Sequence, residues 1–138
     1  MKKLLMLGLI GLLLASCAKK EVKPASAESV AAKEAFALAE AVKTAFVEKD
    51  LPALRRLTTD SGLKDVIGRS GTYDSVEMAF TPRWIEIEGN GIHANIAWKC
   101  SWKIAGRKVD ERGMGVFVME GRPLKLVRIL RSNPFQTP

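Results

Sequence analysis

The chain has 138 residues, 47% of them hydrophobic, and 22 lysines and arginines against 15 acids leave it at +7. That balance excludes a disordered tail, a collagen-like repeat and a polytopic membrane protein, and the length fits one domain of the usual ~100–200 residues. Two cysteines are too few for a disulfide scaffold or a four-cysteine zinc site.

Met1-Lys2-Lys3 reads as the positive n-region of a secretory signal, and Leu4 to Leu14 as its apolar h-region, broken only by Gly8 and Gly11. The apolar run is shorter than the roughly 20 residues that a bilayer core requires. It closes on Leu14-Ala15-Ser16-Cys17: an aliphatic residue, two small residues, then cysteine. These four residues resemble the bacterial lipobox. The resemblance implies that Cys17 receives a diacylglycerol, that residues 1–16 are cleaved away, and that the new amino group is often acylated too. Each buried acyl CH₂ adds about 0.8 kcal/mol, so two or three chains anchor a protein durably in membrane lipid. Ala18 stands where an aspartate commonly marks inner-membrane retention in Gram-negative lipoproteins. The resemblance therefore points to the outer membrane, facing the periplasm. Cleavage removes Lys2 and Lys3 without reversing the positive balance. With Cys17 acylated, Cys100 is left as a single thiol without a disulfide partner in an oxidising compartment.

Residues 17–25 read as the lipidated cysteine and a tether rich in lysine, and residues 26–138 as the folded domain. Ser26 is placed to cap a helix, with Glu28 near its positive end. Ala27 to Glu48 holds neither Gly nor Pro, and Phe36, Ala39, Val42 or Lys43, and Phe46 recur at helical spacing. Asp50 reads as the cap of a second helix, with Pro52 in its first turn and Leu51, Leu54 and Leu57 on its buried edge. Thr58 to Gly62 breaks that helix, and Leu63 to Ile67 adds one further turn, ended by Gly68.

From Tyr73 the period falls to two. Arg83 to Glu88 is expected as a strand with Ile85 and Ile87 on one face, turning at Gly89-Asn90-Gly91. Ile92, Ala94, Ile96, Trp98, Cys100, Trp102 and Ile104 then alternate with mostly polar residues, the pattern of a long, half-buried antiparallel strand. Ala105-Gly106-Arg107 turns into a third strand, Lys108 to Glu120, in which Gly113 and Gly115 suggest a bulge. Leu124 to Leu130 is the last strand, and Ser132 to Pro138 reads as a tail. Helices followed by a meander predict an α+β domain, its N-terminal helices packed on a curved antiparallel sheet.

The phrase from Ala45 to Leu57, AFVEKDLPALRRL, resembles the helix–helix junction of NTF2-like domains: an aromatic, a short break with an aspartate, then a leucine-rich helix. The long strands that follow are similar to the sheet that wraps the first helix into a cone in that superfamily. A cystatin-like helix-on-sheet arrangement is the near neighbour. The resemblance implies a cavity between sheet and helices, lined here by Phe36, Trp98, Cys100, Trp102, Phe117 and Met119. It implies no single activity, because the superfamily holds isomerases, dehydratases, cyclases and docking modules.

Chemistry-bearing residues are sparse. His93 is the only histidine, and the alternation puts it on the polar face beside Asn95. Asp110 falls between Lys108 and Arg112 on the outward side. A simple count puts Glu111 on the side of Val109, where a buried acid would be a candidate general base. A bulge or an exposed strand end would leave it in solvent instead. Cys100 stands between two tryptophans with no base nearby in sequence, the setting of an inert buried thiol. No Ser-His-Asp set, no spaced metal ligands and no phosphate loop followed by a helix can be assembled. No catalytic residue, cofactor or metal is expected. Trp84 stands out as an aromatic among Glu86 and Glu88, a mark of partner contact. Arg107, Lys108, Arg112, Arg122, Lys125, Arg128 and Arg131 cluster late. Export removes nucleic acid as their partner and leaves anionic lipid headgroups, lipopolysaccharide or an acidic envelope protein.

The sequence thus predicts a membrane-anchored envelope lipoprotein that binds a small apolar ligand or an envelope protein without catalysis. The alternatives are an NTF2-like isomerase or hydrolase with an acid in the cavity, and a structural module that dimerises through its sheet.

Overall fold

A computed structural model describes residues 23–138; the signal, the lipobox and Cys17 lie outside the described residues. Helix α1, Ala27–Val47, begins where Ser26 Oγ accepts the backbone N–H of Ser29 at 3.1 Å. Its alanine-rich stripe lets it approach the sheet closely, burying Ala35, Leu38, Ala39, Val42, Ala45 and Phe46. Phe36, expected on that stripe, is only partly buried. Lys49, at φ 58°, turns the chain, and Asp50 Oδ1 accepts the Ala53 N–H at 3.0 Å to start α2, Leu51–Leu57. Of the three leucines expected on the edge of α2, Leu54 is buried and Leu51 is exposed. Helix α3, Asp60–Ile67, starts before the expected Leu63 because Thr59 Oγ1 accepts the Gly62 N–H and caps it. Gly62 packs on the backbone carbonyl of Leu126, where a side chain has no room.

Strands β1 (Ser75–Glu88), β2 (Gly91–Ile104), β3 (Arg107–Glu120) and β4 (Lys125–Arg131) form one antiparallel sheet in the order β1-β2-β3-β4. Strand β1 starts at Ser75, earlier than the expected Arg83. Val76, Met78 and Phe80 alternate into the core there, and Pro82 is tolerated because β1 is an edge strand. The ladder instead breaks at Arg83, which bulges out between the paired residues Pro82 and Trp84.

The bulge expected at Gly113 and Gly115 is absent. Register between β2 and β3 is continuous from Gly91↔Glu120 to Ile104↔Arg107. Those glycines answer a different demand: a Cβ on Gly113 would stand 2.7 Å from Trp98 Cζ2, and one on Gly115 2.7 Å from the Ser132 carbonyl oxygen. The irregularity falls farther along, between Val118 and Met119 where β3 meets β4.

Ser132 to Pro138 is no free tail. Trp98 Nε1 donates to the Ser132 carbonyl at 3.2 Å, and Asn133 Nδ2 to the Asp65 carbonyl at 2.7 Å. Pro134 and Phe135 are fully buried, and Thr137 Oγ1 accepts the Gly71 N–H. A lone aromatic among polar residues and prolines gives no periodic signal, which is why the segment reads as a tail. Its position follows from burial of one large ring, worth about 1.5–3 kcal/mol.

The result is an α+β fold: three helices packed against one face of a curved four-stranded antiparallel sheet. It is compatible with an NTF2-like cone. The free edge of β4 is covered by the helices. Thr59 N–H donates to Leu126 O at 2.9 Å, and Asp65 Oδ2 accepts the Ile129 N–H at 2.8 Å.

Candidate functional site

Residues directly opposite in a sheet share a face, so the register assigns both sides. The inner side carries the row expected from the alternation in β2. Trp98 stands opposite Gly113, Cys100 opposite Glu111, Trp102 opposite Val109, Ala94 opposite Phe117 and Ile92 opposite Met119. Trp98, Cys100, Trp102, Phe117 and Met119 are therefore brought together and buried, with Phe36 on α1 at their margin.

The space they face is filled by the chain itself. The Phe135 ring, 0% exposed, lies 4.9 Å from Phe46, 6.1 Å from Phe80 and 6.2 Å from Phe117, centroid to centroid. Trp102 is edge-on to Phe46 and to Tyr73, and its buried Nε1–H has no hydrogen-bond partner among the described residues.

Cys100 is held as a thiol. Its Sγ donates to the Pro134 carbonyl at 3.5 Å. Burial, and secondarily the charge of Glu111, push its pKa up to about 12. Glu111 is half-buried on the inner face, on the side where the count from Val109 puts it, because no bulge intervenes. A thiol so protonated is no nucleophile.

The outer side is unlike the inner one. Glu77, Ser101 and Asp110 form one cross-strand row, and Ala79, Lys99 and Arg112 the next. Between these rows runs an open groove of about 650 Å³, floored by the backbone of Met78, Cys100 and Glu111. A second groove of about 480 Å³ lies on the far side of Lys99 and Arg112, with Thr81 and Arg83 on its other wall. Asp110 is held below the usual carboxylate range, chiefly by a hydrogen bond from Ser101, with Lys108 adding to it.

Farther along the same face, Trp84 is 48% exposed, and its Nε1 donates to Glu86 at 3.0 Å. Val116 and Leu130 continue its row toward β4. His93 lies on this polar side as expected, 3.8 Å from Glu88. Ligand atoms of Glu86, Glu88 and His93 fall within 4.8 Å of one another. That juxtaposition comes from cross-strand pairing, which spacing along the chain does not reveal. Both carboxylates are exposed, and such groups commonly gather without an ion.

Sequence reasoning found the inner row and Trp84 but missed the two outer grooves and the filling of the interior. The grooves depend on which strand residues face each other, and the filling on one aromatic beyond the last strand. Compared with models of known protein families and with curated proteins, the chain matches none.

Proposed function

We propose that the chain is an envelope lipoprotein, anchored through acyl chains on Cys17, whose α+β domain docks a protein partner on the outer face of its sheet without catalysis. The anchor reading is supported by the n-region, the apolar run and the box Leu14-Ala15-Ser16-Cys17. The docking reading is carried by Phe135. It fills the interior that an apolar ligand would need, while the outer face keeps open grooves and the exposed Trp84. Enzymatic alternatives find little support, since Cys100 is protonated and Glu111 faces it without a histidine on that side.

Two measurements test this. Cys17→Ala should abolish acyl labelling and release the protein from the membrane fraction; retained labelling refutes the anchor. A photocrosslinking side chain placed in cells at Trp84 should give a discrete protein adduct, and the same probe at Leu51, exposed on α2, should not. Equal adducts from both positions, or none from Trp84, refute docking on the outer face.

A second reading has one observation in its favour. The unpartnered Trp102 Nε1–H would donate to a polar group of an otherwise apolar ligand that displaced Phe135. Native mass spectrometry of the purified protein decides it: a lipid-like mass excess lost on denaturation supports a carrier, and a clean mass counts against one.

A further inference from the structure

The groove between Arg83 and the Lys99–Arg112 pair gathers three cations from three adjacent strands. Lys99 on β2 stands directly opposite Arg112 on β3, and Arg83 is thrown out of β1 at the bulge. Like charges directly opposite each other in a sheet are destabilising. Among the described residues no carboxylate lies within 4.0 Å of any of the three, because the ion pairs there are Lys43–Glu40, His93–Glu88 and Lys108–Asp110. Of the acids in the neighbouring row on this side, Asp110 is engaged by Ser101 and Lys108, and Glu77 stands across the first groove from Lys99 and Arg112 without an ion pair to either. Folding therefore concentrates positive charge here without a direct ion pair to any of the three among the described residues. Ala97, small and outward-facing, keeps the floor low, the backbone of Trp98 and Gly113 completes it, and the Thr81 hydroxyl stands on the wall beside Arg83.

We propose that this groove binds a phosphate group. Two guanidinium forks present paired N–H donors that match the oxygens of a tetrahedral anion. Lys99 adds a mobile point charge and Thr81 a hydroxyl donor. Arg83 follows Ala79 and Thr81 on the outer face of β1, and the bulge leaves it as an extra residue without a partner on β2 while Trp84 takes the next outward position, opposite Asn95. The ligand chemistry is that of a phosphate ester, carried either by an anionic lipid headgroup or by a soluble phosphorylated molecule. The proposal does not depend on the protein-docking reading or on acylation of Cys17.

The test uses the full chain in neutral-detergent micelles. Thermal unfolding and calorimetric titration are followed with inorganic phosphate against chloride at constant ionic strength, and with micelles doped with phosphatidylglycerol. A response to inorganic phosphate assigns a soluble ligand, and a response to phosphatidylglycerol alone assigns a headgroup; either supports the site. In the Lys99→Gln/Arg112→Gln double variant the response should weaken at least tenfold. Its melting temperature in chloride should rise by roughly 1–3 °C, because the repulsion is gone. Arg83→Gln, outside the paired ladder, should weaken binding without that rise, and it keeps the test open if the double variant folds poorly. Lys125→Gln/Arg128→Gln, at the other end of the face, should bind like the parent. No response to either anion, or equal loss in the Lys125/Arg128 control, overturns the site.

Discussion

The indole of Trp98 lies over the backbone of Gly113, its strand partner, so closely that a Cβ there would stand 2.7 Å from Cζ2 and 2.5 Å from Ser132 Oγ. The missing side chain lets the indole reach the Ser132 carbonyl with its Nε1–H. Gly113→Ala must therefore push either the indole or the C-terminal segment aside. Overpacking of this kind costs about 1–3 kcal/mol. Chemical denaturation should show that loss, with near-ultraviolet circular dichroism of the tryptophans changed. A variant as stable as the parent would mean that the indole has room to move.

Phe135 makes the second prediction. Its ring is fully buried against Phe46, Phe80 and Phe117, so Phe135→Ala leaves a cavity in the centre of the fold. Loss of a buried phenylalanine costs about 3–5 kcal/mol. A midpoint shift of that size in urea is the expected readout, with Phe135→Leu losing much less. A loss below about 1 kcal/mol would show that the C-terminal segment is not part of the cooperative fold.

Much of this arrangement is legible in the sequence where the period is strong. The apolar row from Ile92 to Ile104, the caps at Ser26 and Asp50 and the helix-then-meander order all follow from spacing and turn chemistry. What is not legible depends on contacts between segments distant in the chain. Gly113 and Gly115 read as a bulge because strand glycines usually weaken a ladder, whereas here they make room for Trp98 and Ser132. Phe135 has no neighbours in sequence to give it a period, and its burial is decided by Phe46 and Phe117. The site divides the same way. Trp98, Cys100 and Trp102 share a face by alternation alone, but the opposition of Lys99 to Arg112 needs the strand register.

The third prediction concerns Cys100. Its thiol is buried and pushed up to about 12, against 9.0 for an ordinary cysteine. Between those values the unfolded thiol ionises while the folded one does not. The stability tied to this group is thus fully present below pH 9 and is lost as pH rises toward about 12. Iodoacetamide at pH 8 should label Cys100 only in denaturant. Cys100→Ser should flatten the alkaline fall in stability while leaving the acid limb unchanged. Rapid labelling of the native protein would contradict the burial.

The last prediction rests on Asp65, which joins α3 to the far end of the sheet. Its Oδ2 accepts the Ile129 N–H at 2.8 Å, and its own carbonyl accepts Asn133 Nδ2 at 2.7 Å. Strand β4 is an edge strand, so the Ile129 N–H has no strand beyond it to pair with, and the carboxylate takes that place. Hydrogen bonds to charged groups contribute about 1.5–3 kcal/mol. Asp65→Ala should lose roughly that much. Hydrogen exchange should place the new weakness at the Ile129 amide, with the Trp98–Ser132 contact loosened as the C-terminal segment frays. Asp65→Asn keeps an acceptor oxygen and should recover part of the loss. If Asp65→Ala and Asp65→Asn are equally stable, the carboxylate does not hold the strand edge, and the closure of β4 comes from the Thr59–Leu126 hydrogen bond and the packing of α3.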